Sequence, residues 1–136
     1  MSIQKKSQVI ASAVETAEAF GDSLNVDNVD SLLVQIATES SYDGKIQCYG
    51  SGSATEPTWA NAQTPANILP PKRMYDLDDG SSVTGSTGIS PAGADIVKEF
   101  KINVEQLRWI NFGWSARTAG KLTVRVVGMS RTRFKG

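Results

Sequence analysis

Asp95–Val104 alternates. Ile96, Phe100, Ile102 and Val104 fall on one side, and Val97, Glu99, Lys101 and Asn103 on the other. A period of two marks a strand with one buried face. Leu107–Ser115 is apolar on both faces, with Leu107 and Trp109 pointing one way and Ile110, Phe112 and Trp114 the other. Such a strand is central and covered on both sides. Ala116–Lys121 is a polar turn with a glycine able to take a positive φ. Leu122, Val124 and Val126 then oppose Thr123, Arg125 and Val127. The pattern predicts a hairpin with a third strand before it. Two tryptophans in one strand, each able to bury roughly 150–250 Å², place the core here.

Upstream, Leu32, Val34 and Ile36 make one face of a strand over Ser31–Thr38. Tyr42-Asp43-Gly44-Lys45 is a turn, Asp-Gly being a strong short hairpin signal. Lys45–Tyr49 returns with Ile46 and Cys48 facing inward, so residues 29–49 read as a second hairpin. Ser7–Phe20 carries both patterns. Val9, Ile10, Ala13, Val14, Ala17 and Phe20 suit a helical face; Ile10, Ser12, Val14 and Thr16 suit a strand. Its alanines and glutamates favour a helix taken alone, but the β character of everything downstream favours a strand at an edge. Leu24–Asp30 is short, with Asn or Asp at alternate positions, and Met74–Leu77 suits a short strand.

Two stretches break the pattern. Residues 50–73, GSGSATEPTWANAQTPANILPPKR, hold four of the five prolines: Pro57, Pro65, Pro70 and Pro71. Proline cannot donate in a sheet ladder, so this is a long loop or arm, and loops of such length are usually functional. Residues 80–93, GSSVTGSTGISPAG, read as a flexible Gly/Ser loop. Six to eight strands, tight turns and two long connections predict one all-β domain over 1–136. Its fold class is an antiparallel β-sandwich of jelly-roll type with two long loops. The expected core is Leu32, Val34, Ile36, Ile46, Phe100, Ile102, Leu107, Trp109, Ile110, Phe112, Trp114, Leu122, Val124 and Val126.

Composition narrows the chemistry. The chain has no histidine, which removes the commonest general base, the Ser-His-Asp and Cys-His pairs, and imidazole metal ligands. One cysteine, Cys48, excludes an intrachain disulfide and reads as a small core residue. Asp76, Asp78 and Asp79 suggest a calcium loop, but position twelve from Asp76 is Thr87 rather than Glu. An acidic turn closed by Gly80 is the better reading. Gly85-Ser86-Thr87-Gly88 lacks the ending and the helix of a phosphate loop. No metal, cofactor or catalytic residue is expected. No apolar run approaches the roughly 20 residues of a membrane span, and the first 20 residues lack the apolar core of a signal peptide. The chain therefore reads as soluble and made in a cytoplasm.

Charge balances at 14 basic and 14 acidic residues but divides along the chain. Residues 1–68 hold three basic and eight acidic side chains; residues 69–136 hold eleven and six. Arg117, Lys121, Arg125, Arg131, Arg133 and Lys135 gather late with only Phe134 among them. That suits an acidic protein neighbour better than nucleic acid, which would want stacking aromatics. Trp59, Trp109, Trp114 and Tyr49 could form a sugar platform, but Trp109 and Trp114 belong to the most apolar strand. Trp59, in a loop, is the candidate anchor for a partner.

GDSLNV (21–26), SLLVQI (31–36), KIQCYGSGSATEPTW (45–59) and LRWINFGWSARTAGKLTVRVVG (107–128) together resemble small β-sandwich structural proteins of tailed bacteriophages. The best fit is the jelly-roll cement, or decoration, protein of short-tailed phages of the Bordetella type. The resemblance implies a capsid-exterior protein that clamps adjacent major capsid proteins, as a symmetric dimer with loops laid over its neighbours. The interface residues to expect are then Trp59, Pro65, Pro70, Pro71, Lys72, Arg73, Arg131 and Arg133. The alternative is a tail, baseplate or fibre component that binds a host surface carbohydrate.

Overall fold

The computed structural model describes residues 3–59 and 68–131. Their strands are β1 (Ile3–Val14), β2 (Ala19–Phe20), β3 (Leu24–Asn25), β4 (Ser31–Glu39), β5 (Lys45–Ser51), β6 (Met74–Asp76), β7 (Ser82–Val83), β8 (Val97–Asn103), β9 (Trp109–Ser115) and β10 (Lys121–Arg131). All pairings are antiparallel. One sheet runs β1-β10-β4-β8-β6-β7. In the other, β9 pairs β2 and β3, and also β5. The pairing is nested: β1 meets β10, β2 and β3 meet β9, and β4 meets β8. A long antiparallel hairpin rolled into two facing sheets has this topology, which makes the sandwich a jelly roll.

Of residues 7–20, those up to Val14 settle as strand against β10, and Ala19–Phe20 form a second short strand against β9. Register shifts between Val9 and Ala11 and between Ala11 and Val14 explain the mixed pattern. Ile10 and Ala11 are both buried, which a regular strand would not give and a bulged one does.

Both expected hairpins are absent. β4 pairs with β10 and β8, and β5 with β9, so residues 40–44 cross from one sheet to the other. β9 and β10 likewise lie in different sheets, and residues 116–120 cross back. Alternation fixes which side of a strand is apolar, but that side can meet the core from either sheet. The crossings leave the sheet plane through positive φ at Ser40, Ser41, Ala116 and Gly120. Gly120, at φ 90°, lies where a Cβ would stand 2.3 Å from Tyr42 Cα, so no side chain fits.

The core lies between the sheets. Leu32, Val34 and Ile36, Phe100 and Ile102, and Leu122, Val124 and Val126 face Ile46, Cys48, Ile110, Phe112 and Trp114, all buried. Burying a side chain of this size contributes about 1.5–3 kcal/mol. β9 is enclosed on both faces, with Asn111 and Gly113 buried on its outer side. Leu107 is buried just ahead of β9. Trp109 departs from the expected core. It opens β9 on the outer side, between Asn25 and Ser51, and is only half-buried. Trp114 does lie in the core, its Nε1 donating to Thr16 Oγ1 at 3.0 Å. No helix among the described residues is long and apolar enough to cross a membrane.

Candidate interaction surfaces

The outer face of the β5–β9 sheet is aromatic. Phe20 sits opposite Gly113, whose missing side chain leaves room for the Phe20 and Tyr49 rings; a Cβ there would stand 3.1 Å from each. The Phe20 and Tyr49 centroids are 5.1 Å apart and the rings nearly perpendicular at 70°. Trp59 packs on Phe20 at 5.2 Å. Each such pair adds about 0.5–1.5 kcal/mol beyond area. Tyr49 Oη donates to Gln47 Oε1 at 3.0 Å, which fixes the ring; burial raises the Tyr49 pKa above its ordinary value. Residues 52–59 therefore form a strap that returns over the sheet. Trp59 is half-buried, and its Nε1–H is enclosed with no hydrogen-bond partner among the described residues, as is that of Trp109.

The second half of the long loop also returns to the body. Leu69 N donates to Gly50 O and Lys72 N to Cys48 O, while Ile46 and Ile89 exchange both backbone bonds. These contacts satisfy the outer edge of β5, which would otherwise be an open edge strand. Ile68 and Ile89 are buried there. The stretch 80–93, read from sequence as flexible, is pinned. Gly85 is buried where a Cβ would stand 1.9 Å from Pro71 O, and Gln47 Nε2 donates to Gly85 O and Ser86 O. The glycines and serines serve close approach here.

Pro70 and Arg73 are exposed at this edge, and Pro71 and Lys72 half-exposed. Arg73 Nη1 donates to Ser82 Oγ at 3.0 Å. Trp59 is anchored on the neighbouring outer face. Pro65 and Arg133 lie outside the described residues. Arg131 ends β10 opposite Ile3, three strands from β6, so the fold does not bring it to Lys72 and Arg73. The late basic residues are spread likewise. Arg117 Nε donates to Gly120 O, Lys121 Nζ pairs with Glu15 at 3.5 Å, and Arg125 is exposed in mid-strand.

A cleft of about 330 Å³ opens between the sheets beside β8, lined by Asp76, Ile89, Ser90, Pro91, Lys98 and Phe100 among others. Asp76 is buried, accepts from Asp78 N at 2.8 Å, and meets Lys98 Nζ at 3.4 Å. Its carboxylate thus organises the acidic turn, and Asp79 does the same for Ser81, whose hydrogen bonds lower the Asp79 pKa. Among the described residues no group of three or more Asp, Glu, Cys or His could hold a metal ion. Cys48 is fully buried, and burial pushes its thiol well above the ordinary range, so it stays protonated.

Sequence reasoning missed Asp43, which ties the two sheet crossings together. Its carboxylate accepts from Thr118 N at 2.8 Å, Ala119 N at 3.1 Å and Thr118 Oγ1. Those bonds, the Thr118 hydroxyl first, lower its pKa from 3.8 to about 2. The Asp-Gly pair signalled a turn but not this partner, 75 residues away. Phe20 and Tyr49 were missed as the seat of Trp59; Gly113 within a dense aromatic run was the available signal.

No protein-family model matches the chain, and no curated protein matches it. Solved structures do match. The SPBc2 prophage-derived protein YomS superposes with a TM-score of 0.70 at 15% identity, over 96% of each chain. The PBSX exported protein XepA gives 0.66 at 17% identity, over 96% of this chain but 39% of its own. The VP2 subviral particle of infectious bursal disease virus gives 0.50 at 10% identity, over 95% and 33%. At such identities the shared property is the fold.

Proposed function

We propose that this chain is a non-enzymatic virion structural protein. In its finer form, it is a cement or decoration protein that binds the outer capsid surface and stabilises contacts between major capsid proteins. The observation that carries this reading is the end-to-end likeness to a prophage-derived protein, 96% of each chain. The motifs of residues 21–59 and 107–128 support the same reading through their resemblance to phage decoration proteins.

The partner-facing part is the wrapped loop. Its exposed edge presents Pro70, Pro71, Lys72 and Arg73, where two cations suit an acidic neighbour. The strap before it is held on Phe20 by an apolar contact, with the Trp59 N–H unserved among the described residues. A strap so held can be re-laid across a neighbour whose carbonyl oxygen takes that N–H. Arg131 stands apart from this edge. The carbohydrate-binding alternative is less well supported, because the Trp59 ring is engaged with Phe20 and its N–H is enclosed.

Co-sedimentation tests the reading. Capsid shells assembled from the major capsid protein of the virus that carries this chain are expected to bring it down at a fixed, saturable ratio. Replacing Lys72 and Arg73 by Glu is expected to weaken that binding at least tenfold without changing the melting temperature. A chain that stays in the supernatant at every concentration would overturn the proposal.

A further inference from the structure

The outer face of the six-stranded sheet carries a pattern that fits a second copy of itself. Register places Val9 beside Arg125, Arg125 beside Gln35, and Gln35 beside Glu99. Leu77 completes the row, its N–H bonded to Glu99 O one step beyond the Asp76–Phe100 pair. The row thus reads apolar, cation, amide, anion, apolar across β1, β10, β4, β8 and the end of β6. Four large apolar side chains stand exposed on or beside this face: Val9 at 44%, Tyr75 at 41%, Leu77 at 52% and Val97 at 67%. Arg125 and Glu99 are exposed, and among the described residues neither has an ion-pair partner. Gln35 lies between them, and two strand spacings hold their backbones about 10 Å apart.

We infer that this face is an isologous dimer interface between two copies of the chain, centred on Gln35. A half-turn about an axis along β4, lying in the plane of contact, keeps each row at its height and exchanges its two sides. Val9 then meets Leu77 of the second copy, Arg125 meets its Glu99, and Gln35 meets Gln35. In the adjacent rows Leu33 and Ala37, also on β4, meet themselves, Val97 meets Thr123, and the Lys101 stem lies over Val127. Any other symmetric face-to-face arrangement breaks this match; an axis across the strands would set Arg125 against the Arg125 side. Face-to-face sheets pack at about 30°, and the Arg125 side chain is long enough to follow that rotation. Five strands span about 19 Å, which puts the contact at the small end of specific interfaces. The dimer is therefore expected to be concentration-dependent, with the two charge pairs setting its register more than its strength. The inference deepens the dimer included in the decoration-protein reading, but it stands on the register of this sheet.

Sedimentation velocity of the full chain between micromolar and millimolar concentrations tests it. The unmodified chain is expected to shift from monomer to dimer. Arg125→Glu alone and Glu99→Arg alone are each expected to raise the dissociation constant at least tenfold, since each sets like charges together at two places. Mixing the two single variants, or combining both changes in one chain, is expected to restore the dimer. A dimer indifferent to the reversals would overturn this surface while leaving a dimer by another route. A chain monomeric throughout would overturn the dimer itself and give the face to a different protein. Neither outcome bears on shell binding, which is measured separately.

Discussion

Asp43 holds Thr118 and Ala119 through three hydrogen bonds, and that geometry is worth most when its carboxylate is charged. Its pKa is about 2 in the fold and 3.8 without these bonds. A group whose folded pKa is depressed stabilises the fold above its unfolded pKa, and that stability is lost as pH falls toward the folded value. The loss therefore runs from about pH 4 to about pH 2. Thermal melts at pH 5 and pH 2.5 are expected to show a larger drop for the unmodified chain than for Asp43→Asn. Equal drops would mean the clamp does not form. Tyr42 offers the opposite case. Its ring is buried over Gly44, its hydroxyl has no hydrogen-bond partner among the described residues, and burial raises its pKa beyond the ordinary range. An unserved buried hydroxyl costs about 1–3 kcal/mol. Tyr42→Phe is thus expected to leave the melting temperature unchanged or raise it. A clear fall would reveal a hydrogen bond. At this scale the sequence was least legible: Asp43-Gly44 reads as a local hairpin, and nothing nearby points to residues 118 and 119.

Strands and their buried sides were legible, because a period of two survives whatever the partner. Leu32, Val34 and Ile36, or Leu122, Val124 and Val126, face inward as alternation requires. Partners were not legible. Short connections suggested neighbours within one sheet, yet residues 40–44 and 116–120 both step between sheets. The loops misled for a related reason. Glycine in 80–93 suggests freedom, but Gly85 is glycine because Pro71 O passes over it. Gly85→Ala is expected to cost about 1–3 kcal/mol, the range for overpacking a closed site, measured by urea denaturation. A neutral result would mean the 80–93 loop is not seated on Pro71. The strap behaves differently. Trp59→Ala removes the contact with Phe20 and is expected to cost about 1–2 kcal/mol, less than a fully buried tryptophan. It should also speed proteolysis within residues 52–59, and an unchanged cleavage rate would show that Trp59 does not fasten the strap.

For the whole molecule, nested pairing produces a sandwich with two broad outer faces and a wrapped loop. One face is capped by the chain's own Trp59 strap, and the other is left open with a self-complementary row. That division of labour suits a protein that joins neighbours. Its candidate contact residues do not all come together in the fold. Pro70, Pro71, Lys72 and Arg73 do share an edge, while Arg131 is carried away by β10 to the far side of its sheet. Positive charge late in the chain is a property of sequence order, and the jelly roll interleaves early and late strands. The central claim is a repeated role in the virion shell, and the copy number of this chain against the major capsid protein tests it most directly. Quantitative mass spectrometry of purified virions is expected to give a simple ratio, near one or one half. A few to a few dozen copies per virion, or none, would contradict it.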